Sequence, residues 1–219
     1  MAYKACIAGA GGLIGGELLQ LLQGDSSCEA IIVLSRKEAK QEGKTTFLPF
    51  DFSDWDSLKI QLDSSFRLFC CVGTTRAKTP DLTEYKSIDH GIPLAMAKLA
   101  AEVQAQSLGI VSALGANPKS GNFYNRIKGE MEQDVMAVQF HPVYFARPAL
   151  LLGNRKEKRS AEAIAQAIFR LINPLFVGPL AAYKAVEGRA VAKALFTLAN
   201  GQAADGVYLN DALIELGAE

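Results

Sequence analysis

The sequence turns from strand to helix at Gly9-Ala10-Gly11-Gly12-Leu13-Ile14-Gly15, directly after a short apolar run. The glycines read as GxxGxxG, a spacing in which the backbone turns tightly and approaches a pyrophosphate with no Cβ in the way. Amides at the start of the helix add hydrogen-bond donors and positive partial charge for the phosphates. Because the motif lies between a strand and a helix, as it must, it predicts a dinucleotide site formed by Gly9, Gly12, Leu13, Ile14 and Gly15.

Around this loop, short β-rich runs alternate with longer helical patterns. Strands are predicted at Tyr3–Ala8, Ile31–Leu34, Thr46–Phe50, Leu68–Val72, Leu108–Ser112 and Val143–Arg147, and helices at Gly12–Gln23, Asp54–Leu62, Leu82–Gln106 and Phe123–Gln139. The strands are apolar on both faces, as in a parallel sheet that helices cover on both sides. The pattern predicts an α/β fold with a doubly wound parallel sheet, whose ligands bind at the carboxyl ends of the strands.

The length of 219 residues fits one domain with an ample core. After Pro148 the regular alternation gives way to a loop, helical stretches near 160–172 and 186–200, and a short strand at Val207–Leu209. We therefore expect a single nucleotide-binding domain over residues 1–219, with residues 148–219 contributing a small substrate-side lid.

Composition excludes several classes of partner. The 23 Lys and Arg residues are balanced by 23 Asp and Glu residues, whereas binding to nucleic acid or to an anionic membrane needs a basic surplus. The sequence shows no secretory signal and no apolar run that could span a membrane, and its four cysteines are typical of buried free thiols. We expect a cytoplasmic protein that binds a small molecule and neither nucleic acid nor membrane.

The end of the second strand selects the cofactor. An NAD-selective site usually carries Asp or Glu about 20 residues past the glycines, but this strand ends in Ser35-Arg36-Lys37. Because a guanidinium suits a 2′-phosphate, Ser35 and Arg36 favour NADP(H) over NAD(H); the alternative is that Arg36 is a solvated residue. Asp51 and Phe52 close the third strand, where a carboxylate and a backbone amide can hold the adenine edge.

Two further strand ends supply candidate contacts. The fourth strand is followed by Gly73, Thr74 and Thr75, a small-residue turn that lets the backbone pass close to the nicotinamide ribose. Arg76 comes next and either meets a phosphate or an anionic substrate, or points into water. After the sixth strand, a basic run that starts at Arg155 is either a grip for an anionic substrate or a solvated loop.

A candidate catalytic pair lies on the helix after the fifth strand. Tyr124 and Lys128 are spaced i, i+4, which places them on one helix face. An ammonium near a phenol lowers its pKa from about 10, so the tyrosine can exchange a proton near neutral pH, and Lys128 can also bind ribose hydroxyls. Ser112 ends the fifth strand and can polarise a substrate carbonyl. The acidic residue Glu132 is expected on the solvated face of this helix.

In these motifs the chain resembles the short-chain dehydrogenase/reductases, in the atypical branch of the Tat-interacting-protein-like NAD(P)H-binding oxidoreductases. The resemblance is carried by Gly9–Gly15, Cys71–Arg76, Val111–Ala116, Tyr124–Glu130 and Arg147–Arg155. It implies a Rossmann fold, NADP(H) binding, Tyr124 as proton donor or acceptor, and Lys128 as its partner. Relatives often carry two serines after the fifth strand where this chain has Ser112-Ala113. If the catalytic hydroxyl belongs to the second position, it is missing here.

Three functions fit these features. An NADP(H)-dependent oxidoreductase that acts on a small carbonyl or alcohol is favoured, with a substrate that the sequence does not identify. A nucleotide-sugar epimerase or dehydratase uses the same Tyr and Lys chemistry but usually has a larger substrate domain. An NADPH-responsive regulatory binding protein needs only the nucleotide site and leaves Tyr124 and Lys128 unexplained. A homodimer is compatible with the apolar content of the helix after the fourth strand.

Overall fold

The computed structural model describes residues 2–36, 38–152, 184–201 and 203–218. The strands in these ranges are β1 (Tyr3–Ala8), β2 (Cys28–Ser35), β3 (Lys40–Glu42), β4 (Thr45–Pro49), β5 (Phe66–Cys70), β6 (Ser107–Val111), β7 (Val143–Arg147), β8 (Leu151–Leu152), β9 (Val186–Glu187) and β10 (Gly206–Leu209). The helices are α1 (Leu13–Gly24), α2 (Trp55–Lys59), α3 (Leu82–Lys86), α4 (Ile92–Glu102), α5 (Phe123–Ala137), α6 (Gly188–Asn200) and α7 (Asn210–Ala218).

The main sheet has eight strands in the order β10-β7-β6-β5-β1-β2-β4-β3. All of its pairings are parallel except that of β3 with β4. The prediction of a doubly wound parallel sheet is confirmed. The short exposed strand β3 was not predicted, and β8 and β9 pair in a separate two-stranded sheet.

Helices cover both faces of the sheet, which explains why its strands are apolar on both sides. One face packs against α2, α4 and α5, through buried residues that include Leu58, Met96, Leu99, Met131 and Val135. The other face packs against α1, α6 and α7, through buried residues that include Ile14, Leu18, Val191, Leu195 and Leu213. The central strand β1 is therefore enclosed, and its carboxyl end opens onto the glycine loop.

Residues 184–201 and 203–218 pack onto the main sheet and its helices. Helix α6 packs between α1 and α7, and β10 pairs with β7 at the edge of the sheet. The buried side chain of Asn210 accepts a hydrogen bond from the Ala149 amide (2.9 Å) and donates one to the Lys184 carbonyl (2.8 Å). The described part of the segment predicted as a lid is thus built into the sheet and its helical layer. Residues 153–183 lie outside the described residues.

A π-helical turn interrupts the long helix that the sequence predicts over Leu82–Gln106. The turn spans Ser87–Gly91 and separates α3 from α4. Such turns insert an extra residue into the helical repeat and are frequent at functional sites. Within this turn, Asp89 is 1% exposed, so the interruption delivers a carboxylate to the interior.

Two further expectations concern membranes and thiols. No helix of the described residues is long and apolar enough to cross a membrane. The four cysteines are free, and Cys6, Cys28 and Cys70 are buried. Burial raises the pKa of the Cys6 thiol to about 12 and that of the Cys70 thiol to about 11, so both stay protonated and unreactive at neutral pH.

Candidate functional site

The candidate residues meet at one edge of the sheet because they follow the carboxyl ends of neighbouring parallel strands. In the strand register, Ala8 lies beside both Leu34 and Cys70, and Cys70 lies beside Ile110. The glycine loop after β1 is therefore flanked by the end of β2 on one side and by the loop after β5 on the other.

The glycine loop has the shape that a pyrophosphate requires. Gly9 has a φ of +88°, and a Cβ at this position would lie 2.6 Å from the Cys71 carbonyl carbon. A Cβ at Gly15 would lie 2.8 Å from the Gly9 carbonyl carbon, closer than side chains are found. Among the described residues, no side chain caps α1, whose N-cap is Gly12, so no side chain in these ranges competes with a phosphate for the cap position. The loop fits the phosphates of a dinucleotide.

The first turn of α1 anchors the loop to the core. Ile14 is 5% exposed and packs under the sheet's central strands, while Leu13 is half-buried. The apolar residues of the motif therefore fix the glycines in place rather than facing solvent.

The residues predicted to choose the cofactor line the next strand ends. At the end of β2, Ser35 is half-buried and Arg36 is exposed. Asp51 is exposed and accepts hydrogen bonds from the Ser53 amide (2.9 Å) and hydroxyl (2.6 Å). The Ser53 hydroxyl and amide hold the pKa of the Asp51 carboxyl below its ordinary value. Phe52 has a φ of +66°, rare for a bulky residue.

The loop after β5 is fixed from behind. Gly73 is exposed, and the Thr74 amide donates a hydrogen bond to Asp89 Oδ2 (2.8 Å). The Thr75 hydroxyl oxygen is buried and has no hydrogen-bond partner among the described residues. The Arg76 guanidinium donates to the Pro80 carbonyl (2.9 Å), which holds it on its own loop.

Tyr124 and Lys128 lie in different environments although one helical turn separates them. Tyr124 is 41% exposed, whereas Lys128 is 2% exposed. Lys128 Nζ lies 3.1 Å from Asp89 Oδ1 and donates to the Val111 carbonyl (3.4 Å). Burial alone would lower the pKa of the Lys128 ammonium, but the Asp89 carboxylate and the nearby Tyr124 outweigh burial, so the pKa is raised. The charged Lys128 ammonium thus lies in the interior, and the Tyr124 phenol, one helical turn away, is accessible to solvent.

Ser112 takes part in a buried polar network. It is 3% exposed, and its hydroxyl donates a hydrogen bond to Glu132. Glu132 is 6% exposed and also receives Arg147, whose Nε lies 3.0 Å from Oε1. The expectation that Glu132 lies on a solvated helix face is wrong, because its carboxylate is buried and accepts hydrogen bonds from the buried Ser112 and the half-buried Arg147. In this arrangement the Ser112 hydrogen points at Glu132, and Ala113 offers no hydroxyl. Arg155 lies outside the described residues.

The buried network supports a stability prediction. Glu132→Gln places an amide donor against the Arg147 guanidinium, so we expect the free energy of unfolding to fall by about 1–3 kcal/mol. Glu130→Gln is the matched control, because Glu130 is part-exposed and pairs with Lys86 at the surface (3.0 Å); we expect a loss below about 0.5 kcal/mol. Urea unfolding measures both, and equal losses would contradict the assignment.

No protein-family model matches the chain. It is 32% identical over 182 residues to "Protein fmp52, mitochondrial" of Aspergillus niger, covering 80% of this chain and 78% of the relative. It is 31% identical over 201 residues to the FMP52 protein of Debaryomyces hansenii, covering 90% of this chain and 88% of the relative.

Solved structures share the fold. The UDP-glucuronic acid 4-epimerase from Bacillus cereus, solved in complex with NAD, superposes with a TM-score of 0.67 at 12% sequence identity. The match covers 94% of this chain and 77% of the epimerase. The chain therefore shares the Rossmann-like fold of this NAD-bound epimerase.

The relatives also correct the expected location. Both are named mitochondrial, which contradicts the prediction of a cytoplasmic protein. That prediction rested on the missing secretory signal, a feature that concerns secretion and is silent about mitochondria. Because relatives more than 30% identical span most of both chains, this protein belongs to the FMP52 family.

Proposed function

We propose that this protein is an NADP(H)-dependent oxidoreductase of the short-chain dehydrogenase type, in the atypical branch of the Tat-interacting-protein-like enzymes, acting on a small carbonyl or alcohol. One observation carries the proposal: an accessible phenol, Tyr124, lies one helical turn from the buried ammonium of Lys128, on the sheet edge that also bears the glycine loop. The loop suits the phosphates of a dinucleotide, and the phenol suits proton transfer.

The proposal gives each group of residues a role. NADP(H), when bound, supplies or takes up the hydride. The loop from Gly9 to Gly15 holds the pyrophosphate, and the remaining cofactor contacts come from Ser35, Arg36, Asp51, Phe52, Gly73, Thr74, Thr75 and Lys128. Tyr124 moves the proton. Because the Ser112 hydroxyl already donates to Glu132, we assign polarisation of the substrate carbonyl to Tyr124 and not to Ser112.

Cofactor choice gives the first test. We expect NADPH to bind more tightly than NADH, and Arg36→Gln to weaken NADPH binding about tenfold or more through loss of a charge-assisted hydrogen bond, with NADH affinity unchanged. Isothermal titration calorimetry with both nucleotides measures the effect. Lys98→Gln, an exposed change on α4, controls for loss of surface charge. A wild-type protein with equal affinity for both nucleotides would refute the cofactor assignment.

A nucleotide-sugar epimerase is the second candidate, and the fold shared with UDP-glucuronic acid 4-epimerase favours it. The two activities differ in whether NADPH is consumed during turnover. An epimerase retains its cofactor through purification and converts a nucleotide sugar with no net consumption of NADPH, whereas a reductase oxidises one NADPH for each carbonyl reduced. A regulatory protein would bind NADPH and reduce no member of a carbonyl panel.

A further inference from the structure

A buried carboxylate lies directly behind the proposed proton-transfer pair. Asp89 is 1% exposed and comes from the π-helical turn, a different segment from the helix that bears Tyr124 and Lys128. One of its oxygens lies 3.1 Å from Lys128 Nζ, and the other accepts the Thr74 amide at 2.8 Å. Asp89 therefore joins the loop after β5 to the lysine of the pair.

The Lys128–Asp89 ion pair weakens the ability of Lys128 to stabilise the phenolate form of Tyr124. A lone ammonium beside a phenol stabilises the phenolate. When a carboxylate lies 3.1 Å from that ammonium, its negative field opposes the positive field of the ammonium at the phenol. Both members are almost fully buried, so solvent screens neither charge. The lysine is thereby held in place, and although it stays charged, the Lys128–Asp89 pair as a whole carries no net charge.

Groups from each packed element surround the pair. The phenol of Tyr124 interacts electrostatically with the Lys128 ammonium and with the phenol of Tyr85 on α3. Arg76, from the loop after β5, acts on Tyr85, and the thiol of Cys70 on β5 lies near Lys128. The Lys128 ammonium, which interacts with the phenol, is therefore the cation that Asp89 pairs with.

We propose that Asp89 is a positioning residue that opposes the charge of Lys128, so that Tyr124 keeps its proton at neutral pH and donates it during carbonyl reduction. The inference rests on the proposed oxidoreductase function and adds its favoured direction. With NADPH bound, the carbonyl carbon would accept a hydride supplied by the cofactor, the carbonyl π pair would move to oxygen, and this oxygen would take the Tyr124 proton. The products are an alcohol, NADP⁺ and a tyrosine phenolate, which water then reprotonates.

The test is a pH titration of Tyr124 in the protein without nucleotide or substrate. Tyrosine labelled with ¹³C at Cζ reports ionisation by NMR, and the signal absent from Tyr124→Phe identifies Tyr124. Burial raises the pKa of four other tyrosine side chains and moves their ionisation to higher pH: Tyr3, Tyr85, Tyr144 and Tyr208. We expect wild-type Tyr124 to be protonated at pH 7, and Asp89→Asn to lower its ionisation midpoint by about one pH unit or more.

Asp89→Asn keeps the size of the side chain and an oxygen for the Thr74 amide, and thermal melting confirms that the variant folds. Asp134→Asn is the matched control: it removes an exposed carboxylate that pairs with His90 (2.8 Å), the neighbour of Asp89. It should leave the Tyr124 midpoint unchanged. Wild-type Tyr124 that is ionised at pH 7, or a midpoint that Asp89→Asn does not lower, overturns the inference.

If Asp89→Asn fails to fold, Asp89→Ser, which also removes the carboxylate, replaces it: a Tyr124 midpoint that this variant does not lower contradicts the proposed role, and so does a wild-type midpoint near 7. Because the titration contains no nucleotide and no substrate, its result does not depend on whether the protein turns over a carbonyl. A protein that shows the expected titration but oxidises no NADPH would refute the proposed function and leave the role of Asp89 in Tyr124 ionisation standing.

Discussion

We expect Tyr124→Phe to lower kcat by about 10²–10⁴-fold, the usual contribution of a general acid, and to leave NADPH affinity within about twofold. The substitution removes one oxygen from a side chain that is 41% exposed, so no cavity forms in the core. The dinucleotide contacts of the glycine loop and of Arg36 remain in place. The measurement pairs steady-state turnover on a carbonyl panel with calorimetric NADPH binding.

Tyr208→Phe is the matched control for loss of a phenol oxygen. Tyr208 lies on β10, the outermost strand on this side of the sheet, and donates its hydroxyl to the Ala204 carbonyl. Its turnover should stay within about twofold of wild type. A Tyr124→Phe protein that turned over at the wild-type rate would remove Tyr124 from the reaction.

Gly15→Ala is expected to weaken dinucleotide binding by at least about 100-fold. The added Cβ would lie 2.8 Å from the Gly9 carbonyl carbon and closer still to its oxygen, so helix α1 or the loop must move. The gain of about 1 kcal/mol that Ala brings to a helix interior does not offset a backbone collision. Calorimetry with NADPH measures the binding, and thermal melting separates lost affinity from lost fold.

The same loop contains its own control. A Cβ at Gly11 would meet no atom of the described residues within 4 Å, so Gly11→Ala should bind NADPH within about threefold of wild type. A Gly15→Ala protein that is folded and binds NADPH normally would show that the dinucleotide binds elsewhere.

The fold was largely predictable because its signal is local. Strands Tyr3–Ala8 and Val143–Arg147 have the bounds that the sequence predicts, since each is a short apolar run between polar turns. The glycine loop was equally visible, because its geometry depends on the glycines themselves. Strand β3 was missed because Lys40-Gln41-Glu42 is polar and exposed throughout, a pattern that does not differ from a loop.

The environment of the candidate catalytic residues could not be predicted, because it depends on partners distant in sequence. The sequence pattern around Asp89 predicts one continuous helix, in which its carboxylate would be solvated. In the structure, the π-helical turn places Asp89 next to Lys128 instead. The sequence pattern likewise predicts a solvated Glu132, whereas in the structure Arg147, at the end of β7, donates a hydrogen bond to its carboxylate. Here each buried carboxylate is paired with a cation from a different segment of the chain. The spacing of residues in the sequence does not show which distant segments will meet in the fold.

One edge of the main sheet can be completed early in biosynthesis, and the other edge can be completed only late. At one edge, β3 pairs with β4 from adjacent residues, so this hairpin can form as soon as it has been translated. At the other edge, β7 receives its outer partner only when residues 206–209 have been made. A growing chain therefore exposes the apolar β7 edge for the time needed to add some sixty residues, and unpaired edges of this kind favour aggregation. During the interval between translation of β7 and translation of β10, the late strand that will cover this apolar edge does not yet exist.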